Sequence, residues 1–219
     1  SRRNSRATRS STAPSPRTRV RRLPERAHYG ADSLAAIVAA AMLCTVAFQI
    51  DGMVHAIPTI HWREGEHLYI HGAKGSRMLK ALTEGEACVT IALADGLVLA
   101  RSALHHSMNY RSVVLYGRFE AVTEPAHKLA SLRAFIDGLY PGRWDTLRPI
   151  SDKELNATTV LRITLDEASA KVRDWGVKDD EEDLEWPVWA GVIPLRPMAG
   201  EPVTEADSVG REVPPTRFG

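Results

Sequence analysis

The chain has 219 residues, of which 44% are hydrophobic and 25% charged, with a formal net charge of +1 and two cysteines. That length suits one globular domain of about 150 residues with tails, and the composition is that of an ordinary soluble protein. The longest apolar stretch, Leu34 to Phe48, runs 15 residues and contains Thr45, short of the roughly 20 needed to cross a bilayer, so no membrane partner is expected.

The near-neutral total hides a split. Residues 1–26 carry nine arginines against one acid, Glu25, for a charge of +8, and the other 19 basic and 26 acidic residues leave −7 on the remainder. Residues 1–21 are rich in Arg, Ser, Thr and Pro and bury too little to offset their ordering entropy, so they read as a disordered leader. The leader lacks the apolar core of a secretory signal. A weak electrostatic contact with nucleic acid is the alternative role for it, although a solvated tail is the simpler reading. Cys44 and Cys88 sit in the apolar runs "MLCTVAF" and "EACVTIAL", as buried free thiols do in a reduced, cytoplasmic protein.

In chain order, Asp32 is placed as the N-cap of a helix over "SLAAIVAAAML". The pattern then turns β-branched in "CTVAFQI", and Asp51–Gly52 predicts a hairpin turn into "MVHAIPTIHW". Pro58 lacks a donor and so belongs at a sheet edge, a bulge or a ligand contact. "HLYIH" reads as a third strand and "SRMLKALTEG" as a short helix stopped by Gly85. "ACVTIALADGLVLAR" is either one long strand or a hairpin pair broken at Asp95–Gly96. "RSVVLYGRFEAV" is again strand, and Glu124–Pro125 opens a helix with Leu129, Leu132, Ile136 and Leu139 at helical spacing. Ser151 and Glu154 stand in capping-box positions, "TVLRITLDEASAKVR" predicts a further strand, and an acidic run precedes "PVWAGVIPLRP". Successive hairpins favour an antiparallel barrel over a doubly wound parallel sheet.

No nucleotide-loop, zinc-protease or serine-hydrolase motif is present. Eight histidines are scattered without acids or cysteines at ligand spacing, so no metal site is expected. The stretch "YIHGAKGSR", residues 69–77, reads two ways. It is a strand–helix turn, or it is a phosphate cradle in which Lys74 and Arg77 supply charge, Ser76 a hydroxyl, and the backbone at Gly72, Ala73 and Gly75 unobstructed donors. In "NYRSVVLYG", Arg111 either pairs with an acid or reaches a phosphate or carboxylate by a bidentate contact. Trp186 and Trp189 are core, interface or ligand-wall residues.

The order of "CTVAFQIDGMVHAIPTI", "LYIHGAKGSRMLKAL", "MNYRSVVLYG", "LRPISDKELNATTVLRITL" and "KDDEEDLEWPVWAGVIPL" resembles the pyridoxamine 5'-phosphate oxidase-like split-barrel flavoproteins, most of all their nitroimidazole-resistance (Nim-type) branch. The resemblance spans about residues 22–196 and leaves 197–219 as a flexible tail. It implies a mainly β (α+β) fold, a six-stranded antiparallel split β-barrel with flanking helices. It also implies a homodimer with two FMN sites shared across its interface. In that picture Ile57, Pro58 and Thr59 line the isoalloxazine, and His71, Gly72, Lys74, Ser76 and Arg77 form the flavin-phosphate turn. Tyr110, Arg111 and Ser112 approach from a neighbouring strand, and Trp186 and Trp189 pack near the flavin. His71 is the candidate catalytic residue. The implied activity is an FMN-dependent oxidoreductase, a reductase of nitroaromatic or related small molecules. The alternative is a non-catalytic module for flavin, deazaflavin or haem. The Arg/Lys-rich phosphate pattern and C-terminal substrate segment of full pyridoxamine oxidases are not found, so that oxidation is not expected.

Overall fold

The computed structural model describes residues 12–218. Its strands are β1 (Ala27–His28), β2 (Leu43–Ile50), β3 (Met53–Ile60), β4 (Trp62–Glu64), β5 (His67–Ala73), β6 (Ala87–Leu99), β7 (Ser107–Gly117), β8 (Glu120–Ala121), β9 (Thr158–Thr164), β10 (Ala168–Arg173) and β11 (Gly191–Pro194). Four α-helices intervene: α1 (Ala31–Ala40), α2 (Arg77–Glu84), α3 (Pro125–Leu139) and α4 (Asp152–Ala157).

All strand pairing is antiparallel. One sheet runs β1-β10-β7-β6-β2-β3, with β11 as a further partner of β6, and the other runs β4-β5-β9-β8. Asp51 and Gly52 close the first hairpin at φ 50° and 78°, the left-handed pair that a two-residue turn between twisted strands requires. β3 is the free edge of its sheet, and Pro58 sits there, where a missing ladder donor costs least.

Three expectations change in detail, and one open alternative is decided. The helix expected after Asp32 starts two residues earlier, with Gly30 as N-cap and Asp32 in the first turn, where its charge still complements the helix dipole. "ACVTIALADGLVL" is one strand with a bulge between Ala94 and Gly96, because β11 pairs with its second half as β2 pairs with its first. "TVLRITLDEASAKVR" is two strands in different sheets. The Leu165 N–H donates to the Glu66 carbonyl and the Tyr116 N–H to that of Glu167, so each side of the bend is held by its own sheet. The six expected strands become eleven among the described residues, several of them two to four residues long.

The alternating inward residues of both sheets meet in one core. Val46 and Phe48 of β2, Leu68 and Ile70 of β5, Val89 and Ile91 of β6, Val113 and Leu115 of β7, and Leu161 and Ile163 of β9 pack with Leu34, Ile37 and Val38 of α1 and with Leu79 and Leu82 of α2. Each such side chain, fully buried, contributes about 1.5–3 kcal/mol relative to exposure. A second cluster lies on the other face of the small sheet. Trp62, Tyr69, Val122 and Val160 pack there beneath Leu132 and Phe135 of α3.

Residues 1–11 of the expected leader lie outside the described residues. Residues 16–18 form a short 3-10 turn, from which Arg17 reaches Glu86 and Glu167 and stacks on Tyr116. At the other end, Arg217 donates to the carbonyls of Ala39 and Ala40. Cys44 and Cys88 are free thiols, and burial pushes the Cys44 thiol up to about 12. Among the described residues no helix is long and apolar enough to cross a membrane.

Candidate functional site

β5 organises the site by its alternation. Leu68 and Ile70 face the main core, so His67, Tyr69 and His71 face α3. Tyr69 stacks on Trp62 at 5.7 Å and its hydroxyl lies 3.0 Å from His127 Nε2. Trp62 stacks on Phe135 at 4.8 Å, and the His71 ring lies 5.6 Å from Trp62 and 5.2 Å from Phe135. His71 is thereby wedged between two aromatic rings.

Beside it opens a cavity of about 630 Å³, within the range of cofactor and small-molecule sites. His71, Leu132, Phe135, Ile136, Trp144 and Ile150 supply much of its lining. At its polar side Arg148 donates to both carboxylate oxygens of Glu154, at 2.7 and 2.9 Å. The same carboxylate accepts from the Ser151 N–H and caps α4. With Arg148 as the leading cause, the Glu154 carboxyl falls to about 2. The Nδ1 atom of His71 is buried and has no hydrogen-bond partner. Burial lowers its pKa below the ordinary value, which keeps the imidazole neutral with a lone pair to offer.

The expected phosphate turn divides in two. His71 faces the α3 cavity, whereas Gly75 and Ser76 line a separate hollow of about 320 Å³ with Leu79, Lys80 and Thr159. Much of the turn's backbone is already engaged: the Lys74 N–H donates to Ala157 and the Ser76 N–H to Ala73. The Ser76 hydroxyl caps α2 by accepting from the Leu79 N–H. Gly72 is explained by packing, since a Cβ there would lie 2.8 Å from Leu79 Cδ1. Lys74 and Arg77 remain exposed at the surface.

The other expected residues fall on the main sheet. Ile57, Pro58 and Thr59 lie on its free edge; Ile57 and Thr59 pair with the buried Val46 and Cys44, and Pro58 faces the other way. Tyr110, Arg111 and Ser112 sit in β7, between β6 and β10. Arg111 makes its bidentate contact with Asp95, at 2.8 Å to each oxygen, which is the acid-pairing alternative. Trp186 and Trp189 are 63% and 62% exposed, so neither belongs to the core. The α3–α4 cavity wall has little sequence signature, since Phe135, Trp144 and Arg148 read as helix and connector. Its one signal was "LRPIS…EL", the segment that also carries the resemblance. Among the described residues no cluster of His, Cys, Asp and Glu could hold a metal ion by itself.

A mainly antiparallel barrel of two sheets around one core, with helices at its flanks, is the architecture of the split-barrel proteins. The family model described as pyridoxamine 5'-phosphate oxidase matches residues 31–172, and the chain belongs to this family. It is similar to the flavocytochrome Anf3 of Azotobacter vinelandii, with 42% identity over 94% of this chain and 99% of that one and a TM-score of 0.87. It is also similar to a FAD- and heme-binding protein of Mycobacterium smegmatis, with 37% identity over 87% and 94% of the two chains and a TM-score of 0.80. A putative 5-nitroimidazole antibiotic resistance protein of Bacteroides thetaiotaomicron shares the fold at 20% identity, over 64% of this chain and 82% of that one, with a TM-score of 0.55. No curated protein matches the chain.

Proposed function

We propose that this protein is a flavin- and haem-binding oxidoreductase, a flavocytochrome of the split-barrel family. The observation that carries the reading is His71, whose Nδ1 is buried without a partner at the wall of a largely apolar 630 Å³ cavity. A neutral imidazole at the wall of an apolar, cofactor-sized space suits haem ligation, since haem iron is held by a proximal histidine in several protein classes. Support comes from two neighbours above 30% identity, a flavocytochrome and a FAD- and heme-binding protein.

The flavin of this reading is FAD in preference to FMN, on the strength of the second neighbour. Bound together, haem would supply one-electron transfer and the flavin the link to two-electron chemistry. The chain's own part is to hold and shield. Trp62 and Phe135 fix the His71 ring between them, burial keeps it unprotonated, and Leu132, Ile136 and Ile150 keep water from that wall of the cavity. The nitroaromatic reductase activity implied by the Nim-type resemblance gains no support from the 20% identical neighbour, which shares the fold alone.

The same reading makes the chain a homodimer through the outer face of the large sheet. By strand alternation, Leu43 and Ile60 pair on that face, and Leu97, Met108 and Ile193 lie side by side on it. They are 59%, 41%, 37%, 42% and 44% exposed, an unpartnered apolar surface of the kind that marks an interface.

The purified full chain, titrated with haem and with FAD, FMN and a deazaflavin, tests the reading. We expect a haem Soret band together with flavin absorbance, FAD being retained best, and His71→Ala should lose the haem band while keeping the flavin. Wild-type protein that takes up no haem, or an H71A variant with an unchanged haem spectrum, would overturn it.

A further inference from the structure

Where β10 ends beside β7, three cations gather around one indole. The guanidinium carbons of Arg26 and Arg173 lie 5.5 and 5.2 Å from the Trp175 ring centre, and Lys178 Nζ lies 4.9 Å from it. Arg26 also sits 5.9 Å from the Tyr110 ring and donates to its hydroxyl at 3.2 Å. Arg173 is only 4% exposed. It is held by neutral acceptors alone: Asn109 Oδ1 at 2.6 Å and the carbonyls of Trp175 and Gly176 at 2.8 and 3.0 Å.

No carboxylate answers this charge. Among the described residues, no ion pair involves Arg26, Arg173 or Lys178, and residues 1–11 contain no acid. The two acids directly after Lys178 are engaged elsewhere, Asp179 by Arg101 and Asp180 by His105. Burial, and after it the charge of Arg26, pulls the Arg173 guanidinium below its ordinary pKa, as expected of like charges gathered without a counterion. The donors are also in surplus. The Nε atoms of Arg26 and Arg173 are both buried without acceptors. Tyr110 receives a hydrogen bond from Arg26, and its own proton has no acceptor among the described residues. Unmade hydrogen bonds of this kind cost about 1–3 kcal/mol each, so the cluster is built for an acceptor that is anionic.

We propose that Arg26, Tyr110, Arg173 and Lys178 form a binding site for a diphosphate group. Guanidinium forks match phosphoryl oxygens, and three fixed cations call for more negative charge than a single carboxylate brings. The diphosphate of a dinucleotide flavin and that of a free phosphorylated metabolite offer the same chemistry. The inference therefore does not rest on the flavin reading.

Calorimetric titration of the full-length purified protein with inorganic pyrophosphate tests it, with sulfate at matched ionic strength as control. We expect saturable binding to the wild type, at least tenfold weaker binding to the double variant Arg26→Gln, Lys178→Gln, and near wild-type binding to Arg26→Lys, Lys178→Arg. Both positions are solvent-accessible, and circular dichroism checks that each variant is folded. Absence of pyrophosphate binding, or an unchanged affinity in the glutamine variant, would overturn the site. Repeating the titration on FAD-saturated protein separates the sources. Blocked binding assigns the site to the flavin's diphosphate, and unchanged binding assigns it to a separate phosphorylated ligand. Protein that takes up pyrophosphate but never retains FAD would keep this site and refute the flavin.

Discussion

His61 Nε2 donates to the main-chain oxygen of Val38 at 2.8 Å, tying the link between β3 and β4 to the last turn of α1. A carbonyl only accepts, so Nε2 carries the proton and Nδ1 is bare, buried and unpartnered. Arg217 takes the next two carbonyls, of Ala39 and Ala40. The open C-terminal end of α1 is thus satisfied by one side chain from the barrel and one from the tail.

This arrangement makes stability depend on pH. Burial lowers the pKa values of His61 and His71 below the ordinary histidine value of about 6.5. Below 6.5 the unfolded chain therefore binds protons that the folded chain refuses. Stability is fully present above 6.5, falls as pH drops below it, and levels off once the folded groups titrate. The slope is at most about 1.4 kcal/mol per pH unit for each group. Thermal unfolding followed between about pH 7.5 and 5.5 should show the midpoint falling, and His61→Phe should flatten the dependence while leaving the share of His71. A midpoint unchanged across that window would contradict the assignment.

Gly72 tests whether the 69–77 turn serves packing or ligand. A Cβ there would stand 2.8 Å from Leu79 Cδ1, and Leu79 is buried in the main core. Gly72→Ala should cost about 1–3 kcal/mol, as overpacking does. Adding Leu79→Val, which withdraws the clashing methyl, should recover part of the loss and give a non-additive pair. Denaturant midpoints of the two single variants and the double variant decide it. Additive losses, or a stable G72A that no longer holds flavin, would return the glycine to ligand binding.

The elements were legible because local chemistry and tertiary packing agree in them. Asp51–Gly52, Ser76 before α2 and the Ser151–Glu154 box each act through neighbours two or three residues away, and Pro58 reads as an edge residue from its missing donor alone. What escaped reading depends on distant partners. An acid partner for Arg111 is one of the alternatives the sequence offers, but that the acid is Asp95 depends on the register of β6 and β7, and the split of β9 from β10 reflects which sheet claims each side of a bend. The cavity at His71 is walled by α3, by 144–150 and by β5, segments brought together only by the fold. The anionless cluster joins Arg26 to Arg173 across 147 positions of sequence, with no local pattern to announce it.

Arg17 fastens the N-terminal segment. Its guanidinium donates to Glu86 and Glu167 at 2.7 Å each and stacks 4.6 Å from the Tyr116 ring centre. The side chain is 42% exposed, so its pairs contribute no more than about 1 kcal/mol to global stability. Arg17→Ala should therefore leave the thermal midpoint almost unchanged while loosening the segment around it. Limited proteolysis should cut the variant faster near residues 12–22, and amide exchange at Val20, whose N–H donates to the Tyr29 hydroxyl, should accelerate. Equal cleavage of variant and wild type would show that other contacts hold the segment.

The outer face of the large sheet yields the last prediction. Val54, 69% exposed, lies on edge strand β3 opposite Gln49, on the same side as Pro58 and Ile60. If two copies meet there, a charge at this position must be desolvated in the interface, while in a monomer it stays in water. Val54→Lys should convert the dimer to monomer in light scattering, with little change in circular dichroism. The wild-type thermal midpoint should rise with protein concentration, as dissociation-linked unfolding requires, and the variant's should not. A wild-type protein that is monomeric, or a V54K variant that stays dimeric, would remove this face as the interface.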